Sequence, residues 1–232
     1  MQAVAVSNEP PTFRHEALAV VFKIADDELT VLAWRRSRDP FIGAWALPSG
    51  PVETGEMLGS CIARHLATKV DLGELAHLEQ LETRSEPARD PFQRTIATAY
   101  LGLVPYTAEP DLPDNAGWVP ANDLPPMAFD HASVVDSATE RMRRKISYSN
   151  LAFGLAPQEF TIAELRRLYR VALGYDVSPT NLSRVLRRRG QIESTGRTVP
   201  ARGSGGRPAT LYRFTHRRLQ ITDPFAVLRP NA

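Results

Sequence analysis

The sequence predicts a two-domain α+β chain: an α/β/α sandwich over residues 1–147, a connector over 148–158, and a helix-turn-helix with a β-hairpin wing over 159–232. Three observations carry this. Two β-like runs precede a helical apolar pattern that would pack on a sheet. The net charge changes sign along the chain: residues 1–147 hold 14 Lys+Arg against 21 Asp+Glu, net −7, and residues 148–232 hold 14 against 5, net +9, every one of those 14 cations being arginine. In that basic part, two helix-start signals follow in quick succession and lead into strands with a Gly-rich tip.

The elements follow in order. Residues 17–24 and 28–35 read as strands joined across Ala25-Asp26-Asp27. Trp45, Ala46 and Leu47 lead into a helix over about residues 56–70, whose apolar series is Leu58, Ile62, Leu66 and Val70, with Cys61 packed among them. Strands are expected over 78–84 and 95–104, either side of a polar turn at 87–91. Six prolines make residues 105–126 an acidic, loop-rich region around Trp118. Asp130 is expected to N-cap a helix to Ile146, and Arg141, Arg143, Arg144 and Lys145 suit the negative end of its dipole.

Signals in the basic part are sharper. Thr161 and Glu164 form a capping box, and Phe160 and Leu165 hold the staple positions of a helix buried through Ile162, Leu165, Leu168 and Ala172 and ended by Gly174. Ser178 as N-cap and Pro179 at the first helical position open a second helix to about Arg189, apolar at Leu182, Val185 and Leu186. Thr180, Asn181, Arg184, Arg187 and Arg188 fall on its other side, and Arg197, Arg202 and Arg207 flank the tip of the hairpin that follows. This order places one helix in a DNA major groove and a wing over the backbone or minor groove.

Composition bounds the alternatives. At 232 residues, 43% hydrophobic and 23% charged, the chain has the make-up of globular protein. No apolar run approaches the roughly 18 residues of a membrane span, and MQAVAVSNEPPTF lacks the basic flank and apolar core of a signal peptide, so a cytoplasmic protein without membrane partners is expected. The single cysteine cannot form an intrachain disulfide.

The stretch LPSGPVETGEMLGSCIARHLATKVDL, residues 47–72, resembles a Nudix box in frame and spacing: Gly50, Glu56, Arg64, Leu66 and Leu72 fit the pattern. Its metal-binding glutamates are replaced by His65, Thr68 and Lys69, and its final glycine by Asp71. On a helix, positions 65, 68 and 69 share one face, which is how the family's glutamates grip Mg²⁺. Glu53 and Glu56 remain, and Glu79 or Glu82 are the carboxylates a residual hydrolase could recruit. No residue is assigned a catalytic or metal-binding role, and a Nudix-like domain that binds without turnover is expected.

With RDPFQR at 89–94, LPPMAFDH at 124–131, YSNLAFGLAP at 148–157, EFTIAELRRLY at 159–169 and GRPATLYRF at 206–214, the whole chain resembles the NrtR-type, Nudix-related transcriptional regulators of NAD metabolism. That resemblance implies a Nudix-like sandwich fused to a winged helix, a homodimer and a palindromic operator of NAD biosynthesis or salvage genes. It also implies an effector, ADP-ribose or another NAD-derived nucleotide, in place of any cofactor. The residues are compatible with a pyrophosphate ligand: Arg35, Arg36, Arg89 and Arg94 are available as guanidinium donors, and the resemblance adds Glu56, Asp130 and His131 to the ligand pocket. Competing readings are an active Nudix pyrophosphohydrolase acting on ADP-ribose, opposed by Lys69, and an adaptor binding protein or RNA. For RNA, Phe160, Tyr169, Tyr212 and Phe214 would have to be exposed for stacking rather than buried in the winged-helix core.

Overall fold

The strand β1 (Arg14–Ala25) is apolar on both sides, and the fold is arranged around it. Leu18, Val20, Phe22 and Ile24 enter one buried cluster and Ala17, Ala19 and Val21 the other, the pattern of a strand covered on both faces. In this computed structural model, which describes residues 12–70, 72, 75–200 and 208–223, β1 is the central strand of a seven-stranded mixed sheet. It turns through Asp26 and Asp27, both in the left-handed region (φ 48° and 65°), into antiparallel β2 (Glu28–Arg35). That pair of positive φ values suits the twist of a tight hairpin. Further along the chain, β3 (Trp45–Ala46) pairs with β2 and β4 (Ser49–Pro51) with β1. On the other side of β1, β6 (Thr95–Leu103) runs parallel to it, with β5 (His77–Arg84) antiparallel at the edge.

Two helices cover the sheet. The box helix α1 (Leu58–Val70) packs Cys61, Ile62, Leu66 and Val70 over the alanine side of β1, and α2 (His131–Tyr148) packs Val134, Val135, Ala138, Met142 and Ile146 over the leucine side. The expected α/β/α sandwich is thus present. One expectation is corrected: within the proline-rich 105–126 region lies a further strand, β7 (Ala116–Pro120), with Trp118 paired to Leu32 of β2. The prolines flank this edge strand or sit at its end, where a missing N–H costs little, and pairing with β2 outweighs the local signal.

The basic part has its expected order. Helix α3 (Ile162–Leu173) carries the complete Thr161/Glu164 capping box and ends at Gly174; α4 (Pro179–Arg188) is capped by the Ser178 hydroxyl, which accepts from the Asn181 N–H. The hairpin of β8 (Ile192–Val199) and β9 (Ala209–Phe214) follows. Strand β8 runs through Gly196 to Val199, its register shifting between Ser194 and Thr198. Asp71, Arg202 and Arg207 lie outside the described residues.

The segment read as a connector is part of the core. Residues Leu151–Gly154 form a 3-10 turn, and Leu151, Ala152, Phe153, Leu155 and Ala156 are buried. Phe153 meets the His77 ring edge-on at 6.1 Å. Through it one apolar cluster runs from Phe22 and Leu103 in the sheet to Leu165 and Leu168 of α3, Leu186 of α4 and Phe214 of β9. Asn150, also buried, donates to the carbonyls of His216 and Arg218 and accepts from the Gln220 N–H, binding the segment after β9 back to the connector. At the surface of the same junction Asp27, at the β1–β2 turn, pairs with Arg167 and, at 3.6 Å, with Arg170 of α3.

Gly154 lets this junction close: a Cβ there would meet Leu103 Cδ1 at 2.8 Å and Cβ at 2.9 Å. Gly154→Ala is expected to lower unfolding stability by about 1–3 kcal/mol, measured by urea denaturation of the full chain. A change within about 0.5 kcal/mol, as for an exposed linker, would contradict the packing described.

Candidate functional site

The box helix presents His65, Thr68 and Lys69 where the resemblance calls for glutamates, and each is engaged in a way that leaves no metal cage. His65 is buried, its Nε2 3.3 Å from the Pro51 carbonyl, and its ring lies so close to Gly50 that a Cβ at that glycine would fall 2.2 Å from Cε1. Burial lowers the His65 pKa. Thr68 donates back to the Arg64 carbonyl at 2.8 Å. Lys69 Nζ donates to the Ser49 carbonyl and lies 4.6 Å from the Trp34 ring centroid. Mg²⁺ needs oxygen ligands with carboxylates among them; a buried imidazole, a self-satisfied hydroxyl and an ammonium do not fit it. No cluster of three or more His, Cys, Asp or Glu side chains suited to a metal occurs among the described residues.

Glu56 stands at its pattern position but faces inward to its own box. Its oxygens accept from Arg64 Nε at 2.8 Å and Nη2 at 2.6 Å, and from the Glu53 N–H at 3.1 Å. The Arg64 hydrogen bonds hold its pKa down to about 2. Helix α1 begins at Leu58, two residues after Glu56, where the sequence pattern places its start. Glu79 and Glu82 are likewise occupied, by Lys145 (2.5 Å) with His77 (3.0 Å), and by Arg84 (2.6 Å).

Four of the seven sequence-predicted ligand residues come together where the N-terminus of α2 meets the end of β2. Arg36 lies 4.7 Å from the Phe129 ring centroid, and Phe129 contacts the His131 ring at 5.4 Å. Arg89, whose side chain is 3% exposed, forms a two-pronged pair with Asp130 at 2.8 and 3.2 Å. Burial pushes the Asp130 carboxyl up, but the Arg89 hydrogen bonds and charge carry it below the ordinary value. This corrects the capping expectation: Asp130 occupies the N-cap position with no side-chain cap bond, because its oxygens are bound to Arg89. His131 is fully buried, and Nδ1 accepts the Leu47 N–H at 3.0 Å. The remaining three stand apart from this group: Arg35 stacks on Trp45 at 4.7 Å, Arg94 donates to the Ser85 carbonyl at 2.7 Å beside Phe13, and Glu56 stays with Arg64.

In the basic part the arginines divide into two groups. Arg166 pairs with Asp176, Arg189 with Asp223, Arg213 with Glu193, and Arg217 donates to the carbonyls of Phe153, Ala156 and Pro157. Arg197 is exposed but paired with Glu159 at 3.1 Å, a solvent-screened contact. On α4 the picture differs. Thr180, Asn181, Arg184, Arg187 and Arg188 are all exposed, opposite buried Leu182 and Leu186. Arg184 donates only to Asn181, at 2.7 Å, and Arg187 and Arg188 have no side-chain partner among the described residues. Phe160, Tyr169 and Phe214 are buried, which removes them as RNA-stacking surfaces, and Tyr212 packs against the same core. Similarly, the cations ending α2 are used within the chain: Arg141 on the Leu81 carbonyl, Arg143 on the Ala172 carbonyl, Arg144 on Glu140 and Lys145 on Glu79.

Comparison with known families places both parts. Residues 14–138 match the Nudix domain, and residues 152–214, starting inside the buried 3-10 turn, match the NrtR DNA-binding winged helix domain. The chain belongs to the NrtR family. An NrtR-family relative from Acinetobacter baylyi, named as an ADPR responsive transcriptional repressor, is 30% identical over 201 residues, covering 84% of this chain and 79% of that protein. NrtR of Shewanella oneidensis in complex with a 27mer DNA superposes with a TM-score of 0.75 at 29% identity, covering 86% of this chain and 93% of that one. The Nudix domain of the same protein in complex with ADP ribose gives a TM-score of 0.52 at 31% identity, covering 58% of this chain and 94% of that one.

In this NrtR-family chain, sequence reasoning missed the aromatic framework of the site and the contact Lys69 makes with it. Trp34, Trp45 and Phe129 each stack with a cation, and Phe129 does so at φ 54°, a signal invisible in sequence. Lys69 was legible as a metal-repelling charge; its place over the Trp34 ring was not.

Burial holds the His131 imidazole neutral, with a pKa lowered from 6.5 to about 3. Below its ordinary value the unfolded chain binds a proton that the native chain refuses, so stability falls as pH falls. Between about pH 6.5 and 5 the unfolding free energy is expected to drop by up to about 1.4 kcal/mol per pH unit, and His131→Gln to flatten that slope. An unchanged slope in the variant would remove His131 from the core role described.

Proposed function

We propose that this chain is a transcriptional repressor that reads operator DNA with α4 and the wing, and whose Nudix domain senses ADP-ribose or a related NAD-derived nucleotide without hydrolysing it. The observation that carries the reading is the exposed, acid-free face of α4 in a chain whose other described basic-part arginines are largely tied up internally. Family membership and the DNA-bound relative support it. Loss of turnover is supported by the donor set of the box, where Lys69, Thr68 and His65 replace carboxylates. The ligand is argued from Arg36 and Arg89 beside Phe129 and from the relative bound to ADP ribose.

The proposed assembly is a cytoplasmic homodimer on a palindromic operator of NAD biosynthesis or salvage genes. Two α4 helices would sit at half-sites about one helical turn, or a multiple, apart. Thr180, Asn181, Arg184, Arg187 and Arg188 would meet the groove and its phosphates, with Arg197, Arg202 and Arg207 on the wing. Ligand relieves repression only if it binds the DNA-incompetent arrangement more tightly than the competent one. The shared core around Phe153 and the Asp27–Arg167 pair supply the mechanical link through which such a preference reaches α4.

Arg184→Ala and Arg187→Ala are each expected to weaken binding to a duplex selected by the wild-type chain by about 1–3 kcal/mol, read by fluorescence anisotropy at fixed salt, with urea unfolding unchanged. Wild-type operator affinity in both variants would reject α4 as the reading helix.

A further inference from the structure

Lys69 stands where the hydrolytic box pattern carries a metal-binding glutamate, held between a backbone carbonyl and an aromatic face. An ammonium has three N–H donors. Among the described residues its one hydrogen-bond acceptor is the Ser49 carbonyl, at the edge of β4, with the Trp34 face beneath it. Its other two protons meet no acceptor among the described residues, and the side chain is partly exposed. Burial depresses the Lys69 pKa, and the charges of Arg36, Arg14 and Arg64 depress it further, with Glu16 opposing them.

The neighbouring charges are not equally free. Arg14 is neutralised by Glu16 at 2.6 Å, and Arg64 by Glu56 at 2.6 Å and Glu53 at 3.3 Å. Arg36 has no carboxylate within ion-pair distance among the described residues; it donates to the carbonyls of Pro40 (2.7 Å), Arg38 and Asp39 (both 3.4 Å). Lys69 lies over the ring of Trp34, two residues before Arg36 in the chain, and neither cation has a carboxylate within ion-pair distance among the described residues, although the charge of Glu16 acts on both and that of Asp90 on Arg36. A nucleotide diphosphate carries about the matching charge and the oxygens both groups recognise.

Resting on the sensor reading above, we infer that the Lys69 ammonium takes the place of the divalent cation of hydrolytic Nudix sites: with Arg36 it receives the diphosphate of the nucleotide, and ligand binding needs no metal. A tethered ammonium supplies charge but no coordination position at which water could be activated, so the same replacement that makes the site self-sufficient also withholds hydrolysis.

Calorimetric titration of the full chain with ADP-ribose, in EDTA and again in Mg²⁺, tests this. The wild type is expected to bind with the same affinity in both. Lys69→Met, which keeps the stem over Trp34 and removes the charge, is expected to lose roughly tenfold or more in both, and Lys69→Arg to recover most of the loss. Unchanged operator affinity of ligand-free Lys69→Met would show that the variant is folded; should it not fold, Arg36→Met is expected to show the same loss. Wild-type binding that requires Mg²⁺, or wild-type affinity in folded Lys69→Met, would overturn the role of Lys69 while leaving the sensor reading standing. No ADP-ribose binding by the wild type in either condition would instead overturn the sensor reading and the role of Lys69 with it.

Discussion

The apolar cluster that runs from the sheet through Phe153 into the winged helix constrains everything else in this chain. A connector that is buried on both sides cannot act as a tether between two independent bodies, because separating them would expose Leu151, Phe153 and Leu155 together. Motions that relate the Nudix domain to α4 must therefore repack this junction rather than swing freely about it. Gly154 against Leu103, Asn150 against the segment after β9, and Asp27 against Arg167 and Arg170 all lie on that same seam. A small change at the sheet end thus has a packed route to the winged helix.

The box is held together by its own side chains. Arg64 clamps Glu56, His65 fills the space that Gly50 leaves, and Lys69 reaches the Ser49 carbonyl, so the helix and its preceding loop stay joined without an ion. The arginines of the basic part follow a comparable logic: most of those described are consumed by internal acids or carbonyls, and of those left over Arg184, Arg187 and Arg188 share one helix face, with Arg218 exposed elsewhere. Position relative to acids, more than the count of cations, marks that surface.

Much of this was legible in the sequence where local chemistry decides structure. The Asp26-Asp27 turn, the Thr161/Glu164 box, the Ser178-Pro179 start and the 3.6-residue periodicity of α1 and α2 each depend on neighbours in sequence, and the structure has them all. What sequence signals missed depends on distant partners. β7 exists because β2 offers an edge, Asp130 abandons its cap because Arg89 arrives from the β5–β6 loop, and residues 151–156 are core because the sheet and α3 close on them. The candidate site was half visible: residue type pointed to Arg36 and Arg89 and the family resemblance to Asp130 and His131, but the contacts of Phe129 with Arg36 and of Lys69 with Trp34 depend on spatial neighbours.

The central claim is that a nucleotide is sensed without being consumed and that sensing is felt at the DNA. The most direct measurement is operator affinity titrated against ADP-ribose in the presence of Mg²⁺, with the nucleotide recovered afterwards and its integrity checked by chromatography. The account predicts that operator binding weakens as ADP-ribose is added, that operator weakens ADP-ribose binding by the same factor, and that the nucleotide returns intact. Operator affinity indifferent to saturating ADP-ribose, or recovery of phosphomonoesters in its place, would contradict it.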